Sequence, residues 1–126
     1  MVGLGKIGRE VIKRALSYEM QIVGYDPYVS QEQFNKDEVQ IVDLDYLVAN
    51  SEFITLHLPI NDSTRDLFNY SRIKQMKKTA RLINVARGGI INEEDLSKAL
   101  NEELIAGAAI DVFVQEPLSP SHELIK

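Results

Sequence analysis

The sequence predicts an α/β fold, a doubly wound parallel sheet, and three observations carry that reading. Short apolar, β-branched runs alternate along the chain with segments of helical spacing. The runs are continuous rather than alternating in polarity, as expected of strands covered on both faces. A G-x-G-x-x-G pattern, formed by Gly3, Gly5 and Gly8, stands where the first run gives way to the first helix.

The elements follow in order. Only Met1 and Val2 precede the glycines as strand residues. In KIGREVIKRALSY, Ile7, Val11 and Ala15 lie four apart with Ile12 and Leu16 beside them, which is one face of a helix. QIVGY and EVQIV read as the next two strands. DLDYLVAN brings Leu44, Leu47 and Val48 to one helical face, and EFITLHL is the strand after it. SRIKQMKK is a shorter helix, followed by the strand ARLINV. NEEDLSKAL has Asn92 as its N-cap, acids in the first turn where the helix dipole favours them, and Leu96, Ala99 and Leu100 on one face. IAGAAIDVF is the last strand. There is no internal repeat or interior linker, and 126 residues suffice for one core, so residues 1–126 read as a single domain.

Composition narrows the function. With 44% hydrophobic and 26% charged residues the chain is of the globular class. Its apolar runs are too short to span a bilayer, and a formal charge of −5 disfavours nucleic acid and anionic membranes, which leaves a small molecule as the expected partner. The absence of cysteine excludes disulfides, thiolate metal sites and thiol nucleophiles. It fits a reducing compartment, so a cytoplasmic location is expected.

Each glycine has a task in a dinucleotide-binding turn. Gly3 allows the tight exit from the strand, Gly5 keeps a side chain away from the pyrophosphate, and Gly8 lets the helix pack close to the sheet. The helix that starts near Lys6 then offers free N–H groups and its positive end to the phosphates. Asp26 closes the next strand 18 residues after Gly8 (26 − 8), where an acid accepts hydrogen bonds from the ribose hydroxyls and repels a 2′-phosphate. With no arginine nearby in the sequence, Asp26 predicts NAD over NADP. Ligands in such sheets lie beyond the carboxyl ends of the strands. The residues that end the later runs are therefore also candidates: His57, Leu58 and Pro59, then Arg87 before two glycines, then Asp111, Glu116 and Pro117.

Five blocks, GLGKIG, YDP, ITLHLP, NVARGGIINEEDLSKAL and GAAIDVFVQEP, span nearly the whole chain. They resemble, in the same order, the NAD-binding domain of the D-isomer-specific 2-hydroxyacid dehydrogenases, a Rossmann-like fold. YDPY and NVARGGI are most similar to the phosphoglycerate-oxidising branch of that family. The resemblance implies hydride transfer between NAD and a 2-hydroxy or 2-oxo acid. It implies that Arg87 grips the substrate's carboxylate and carbonyl oxygen through its rigid fork of donors, and that Glu116 pairs with a catalytic histidine. It also implies that Asp111 holds the nicotinamide end, that Lys6 and Ile7 lie along the pyrophosphate through their backbone, and that Leu58, Pro59, Thr64, Val85 and Ala86 line the cofactor. No metal is implied. Family members commonly form dimers through this domain.

Two departures from the family pattern shape the expectations. The histidine block expected some twenty residues beyond Glu116-Pro117 is not in the sequence. His57 reads as a strand-end residue satisfied locally, and His122 as part of a surface loop. The sheet is expected to be truncated at its first strand and before its last, with no substrate-binding domain. A chain that begins in the middle of a central strand is expected to be marginally stable, to bind NAD and not to turn over. The same blocks leave open a non-catalytic NAD-binding module of the corepressor kind, and, within the family, glyoxylate, hydroxypyruvate or D-lactate specificity.

Overall fold

A computed structural model describes residues 1–125. Strands β1 (Ile22–Gly24), β2 (Val39–Ile41), β3 (Phe53–Leu56), β4 (Arg81–Asn84) and β5 (Gly107–Ile110) alternate with helices α1 (Lys6–Ser17), α2 (Leu44–Asn50), α3 (Tyr70–Ile73) and α4 (Glu93–Asn101). Short 3₁₀ turns occupy Gln31–Gln33 and Glu123–Ile125. β1 pairs in parallel with β2, and β3, β4 and β5 form a parallel set with Leu56, Asn84 and Ile110 in register.

Val2 joins the two sets. It bridges in parallel to Tyr25 on one side and to Leu56 on the other. Gly3 N–H donates to Tyr25 O (2.8 Å) and Tyr25 N–H to Met1 O (2.9 Å); Val2 N–H donates to Thr55 O (3.0 Å) and His57 N–H to Val2 O (2.7 Å). The spatial order is therefore β2, β1, Val2, β3, β4, β5. Its direction reverses at Val2, and in a doubly wound sheet that reversal is where the ligand crevice opens.

Successive strand residues face opposite sides of a sheet, and the core divides accordingly. Met1 packs with Leu4, Ile12, Ile22 and Val39, which is the side of α1. Val2, 0% exposed, packs with Leu47, Val48, Ile54, Leu56, Leu82 and Leu96 on the side of α2, α3 and α4. Coverage of both faces holds at Val2 but not across the whole sheet. α1 lies over β1 and β2, while the corresponding face of β3 and β4 leaves Phe53 48% exposed with the Arg81 guanidinium 5.8 Å from its ring.

Helix starts are chemically explicit, with one exception. Asp43 accepts from Tyr46 N–H (2.7 Å), Asn69 from Arg72 N–H (3.0 Å) and Asn92 from Asp95 N–H (3.0 Å). α1 has Gly5 at its N-cap and no capping side chain. α3 is shorter than SRIKQMKK suggests, because i→i−3 bonds from Gln75 to Arg72 and from Met76 to Ile73 turn the chain into β4.

Candidate functional site

The uncapped start of α1 lies at the reversal point of the sheet. Gly3 has φ +94°, and a Cβ on it would stand 2.5 Å from His57 O; a Cβ on Gly8 would stand 2.3 Å from Gly3 O. These two approaches pull the loop and the helix onto the strand ends. Gly5 is the opposite case, with nothing within 4 Å of an added Cβ. The N–H groups of Gly5, Lys6, Ile7 and Gly8 donate to no described group. Free amides at a helix N-terminus beside open space suit an anionic pyrophosphate. Lys6 is exposed and Ile7 68% exposed, so both leave their backbone accessible.

Asp26 stands across the crevice, half-buried. Its Oδ2 accepts from Leu4 N–H (2.9 Å) and its Oδ1 from Tyr28 N–H (2.9 Å). It thus forms the turn ahead of Pro27 and anchors the glycine loop at once. An ionised carboxylate has about four acceptor positions, so two remain for a ribose diol. Arg9 Nε donates to Leu4 O (3.0 Å), on the same residue whose N–H binds Asp26.

His57 connects this loop to the far strands. Its backbone lies against Gly3, and its Nε2 is 3.0 Å from Thr55 Oγ1. Burial, with a smaller contribution from the Met1 amine, lowers its pKa below the usual histidine value. Leu58 is buried and Pro59 exposed. Thr64 is buried, its hydroxyl donating to Pro59 O (2.6 Å) and accepting from Asn61 N–H (2.9 Å), so that group shapes the 59–64 turn.

Beyond the ends of β4 and β5 an open cleft of about 570 Å³ is lined by Ile60, Ala86, Arg87, Gly88, Phe113 and Glu116, among others. Arg87 and Glu116 therefore share one cleft, while Val85 and Asp111 are exposed beside it. Backbone contact makes the two loops adjacent: a Cβ on Gly88 would lie 2.1 Å from Phe113 C and O. Arg87 Nη1 donates to Ala86 O (2.7 Å), which leaves most of its five donors unused. Glu116 Oε1 accepts from Phe113 N–H (3.0 Å).

Asn84 was not singled out from the sequence. It is 1% exposed, its Nδ2 donates to Arg87 O (2.9 Å) and its Oδ1 accepts from Ala86 N–H (3.0 Å), so one amide sets the turn that presents Arg87. The available signal is its parity: it alternates with Leu82 on the buried side of β4. Asn84→Ala should lower urea-measured stability by about 1–3 kcal/mol, since it removes two part-buried hydrogen bonds that shape the turn before Arg87. An unchanged midpoint would show that water replaces the amide freely. His122 also differs from its reading as a surface-loop residue. It is half-buried, 2.9 Å from Glu93 Oε2 and edge-on to Phe113 at 5.5 Å. The His57 ring meets Thr55, and the His122 ring meets Glu93 through Nε2 and accepts from Leu124 N–H at Nδ1, so among the described residues neither ring pairs with Glu116.

Comparison with known proteins places the chain in a family. The family model described as "D-isomer specific 2-hydroxyacid dehydrogenase, NAD binding domain" matches residues 1–126. A D-3-phosphoglycerate dehydrogenase of Synechocystis sp. is 48% identical over 121 residues, 96% of this chain and 22% of that protein. A glyoxylate reductase of Thermofilum pendens is 44% identical over 130 residues, 100% of this chain and 38% of that protein. The crystal structure of an NAD-dependent formate dehydrogenase from Staphylococcus aureus in complex with NAD superposes with a TM-score of 0.88 at 36% identity, covering 96% of this chain and 36% of the other. The chain thus spans about a fifth of the phosphoglycerate relative's length. It belongs to the NAD-binding domains of the D-isomer-specific 2-hydroxyacid dehydrogenase family.

Proposed function

We propose that this chain is the cofactor-binding part of an oxidoreductase that moves a hydride between NAD and a D-2-hydroxy acid, with 3-phosphoglycerate as the substrate of the whole protein. The observation that carries the reading is the cleft in which Ala86, Arg87 and Glu116 meet beyond the ends of β4 and β5. The likeness to phosphoglycerate dehydrogenases, 48% identical for the Synechocystis protein, supports the substrate choice. A glyoxylate reductase is the runner-up, supported by the 44% identity of the Thermofilum relative. NAD, when bound, supplies the hydride acceptor. The chain's own residues do the rest. The amides at the start of α1 and Gly3, Gly5 and Gly8 seat the pyrophosphate, and Asp26 takes the ribose hydroxyls. Leu58, Pro59, Thr64, Val85 and Ala86 line the cofactor, and Asp111 orients its nicotinamide end. Arg87 binds the substrate carboxylate and carbonyl oxygen, and Glu116 orients a histidine that holds the hydroxyl proton.

That histidine lies outside residues 1–126 in this reading, since His57 and His122 have other partners. The 126-residue chain therefore forms one NAD-binding domain that binds cofactor without turnover. A homodimer through this domain and a cytoplasmic location go with the family resemblance. No described helix is long and apolar enough to cross a membrane.

Calorimetric titration with NADH and NADPH tests the reading. NADH is expected to bind more tightly, and Asp26→Ala to weaken it roughly tenfold or more, since it removes the diol acceptor and the anchor of Leu4. A folded chain that binds neither nucleotide, or one that oxidises a 2-hydroxy acid unaided, contradicts the proposal.

A further inference from the structure

Leu4 lies inside the G-x-G-x-x-G loop, and both of its peptide groups are held by side chains. Its N–H is on Asp26 and its C=O on Arg9 Nε. Arg9 is the fourth residue of α1, and its guanidinium reaches further. Nη2 donates to Gln33 Oε1 (3.0 Å), and the group lies 4.4 Å from the centroid of the Phe34 ring. The 31–34 segment is itself fixed. Gln31 Nε2 donates to Val39 O (2.9 Å) and Phe34 O (3.2 Å), and Gln31 Oε1 accepts from Ile41 N–H (2.8 Å). Arg9 thus ties the glycine loop to a turn that is pinned along β2.

The geometry of one peptide gives this tie a consequence. Leu4 C=O and Gly5 N–H belong to the same planar trans unit and point in opposite directions. Fixing the carbonyl on Arg9 turns the Gly5 N–H, which has no described acceptor, away from Arg9. We propose that Arg9 is a positioning residue for cofactor binding: its guanidinium, bridging Leu4 O and Gln33, presets the first amide of the phosphate cradle. The proposal rests on the reading of this loop as the NAD site and adds a residue to it. A planar guanidinium suits the task because Nε and Nη2 serve two acceptors in fixed relation while the face stacks on an aromatic ring. A lysine has the charge without the fork.

The test titrates the 126-residue chain and its R9K, R9M and Gln33→Met variants with NADH and with ADP, while NMR follows the Leu4 and Gly5 amides. Both Arg9 variants are expected to bind roughly tenfold more weakly, the loss persisting in about 0.5 M salt, where a distant charge effect is screened. Their Gly5 amide resonance should move and Leu4 N–H exchange should quicken. Gln33→Met, which removes only the outer limb, should lose about two- to threefold. Wild-type affinity in R9K, or a loss that disappears in salt, overturns the proposal in favour of simple charge attraction. Unchanged affinity in R9M overturns it altogether. If R9M does not fold by circular dichroism, the R9K titration decides by the same criteria. A wild-type chain that binds no NADH contradicts the cofactor reading instead. The clamp is then judged by Leu4 exchange alone, and unaltered exchange in the Arg9 variants overturns it.

Discussion

Gly8→Ala is expected to lose NADH binding and about 1–3 kcal/mol of stability together, whereas Gly5→Ala loses binding alone. The added Cβ at residue 8 would sit 2.3 Å from Gly3 O and 3.3 Å from Gly3 C, both backbone atoms that have no rotamer to escape into. α1 must lift off the loop, which strains the contacts Ile12 makes with Leu4 and Ile22. At residue 5 the Cβ meets nothing within 4 Å, and the backbone there, with φ −75°, accepts an L side chain. The alanine methyl would instead occupy the space open to the ligand. Urea unfolding and calorimetry on the two variants separate the effects. Equal stability for Gly8→Ala and wild type would mean that the helix is not held by this approach. Full binding by Gly5→Ala would mean that the pyrophosphate lies elsewhere.

The second large effect is in pH. In the polypeptide of residues 1–126 the Met1 amine donates to Val23 O (2.8 Å) in the central ladder, and burial lowers its pKa from 8.0 to about 5. Between those values the unfolded chain carries a proton on this amine that the native chain has given up. The unfolded state binds more protons, so stability rises as pH rises from about 5 to 8 and is lost on acidification through the same window. The difference is on the order of 4 kcal/mol, from the roughly 1.4 kcal/mol that each tenfold change in proton affinity represents. His57, whose pKa is also lowered by burial, adds a slope of the same sign near neutrality. Urea titrations at pH 5, 6.5 and 8 measure the effect. Acetylation of Met1, which replaces the amine with an uncharged amide, should remove most of it. A stability that stays flat across this range in the unmodified chain would show that the amine remains solvated.

Much of the fold was legible because its signals are local. The helix start at Asn92 follows from capping chemistry within four residues. Apolar spacing located the buried faces carried by Ile12, Leu47 and Leu96. The turn at the switch point was legible too, since the glycine spacing marks where the first strand gives way to α1. The extent of α3 was less so, because i→i−3 turns after Ile73 satisfy the backbone as well as another helical turn would.

The amino-acid sequence by itself determined the alternation of strand and helix, the parallel sheet, the glycine loop with its acid, and the family. The first three depend on periodicity and spacing within short windows, and the family on the resemblance carried by five blocks along nearly the whole chain. Only the tertiary structure decided that Glu93 takes His122 from 29 residues away and that Arg9 reaches 24 residues along the chain to Gln33. It also decided that the sheet is open over Phe53. A polar side chain has many acceptors within its reach, and which one it meets is set by how distant segments pack.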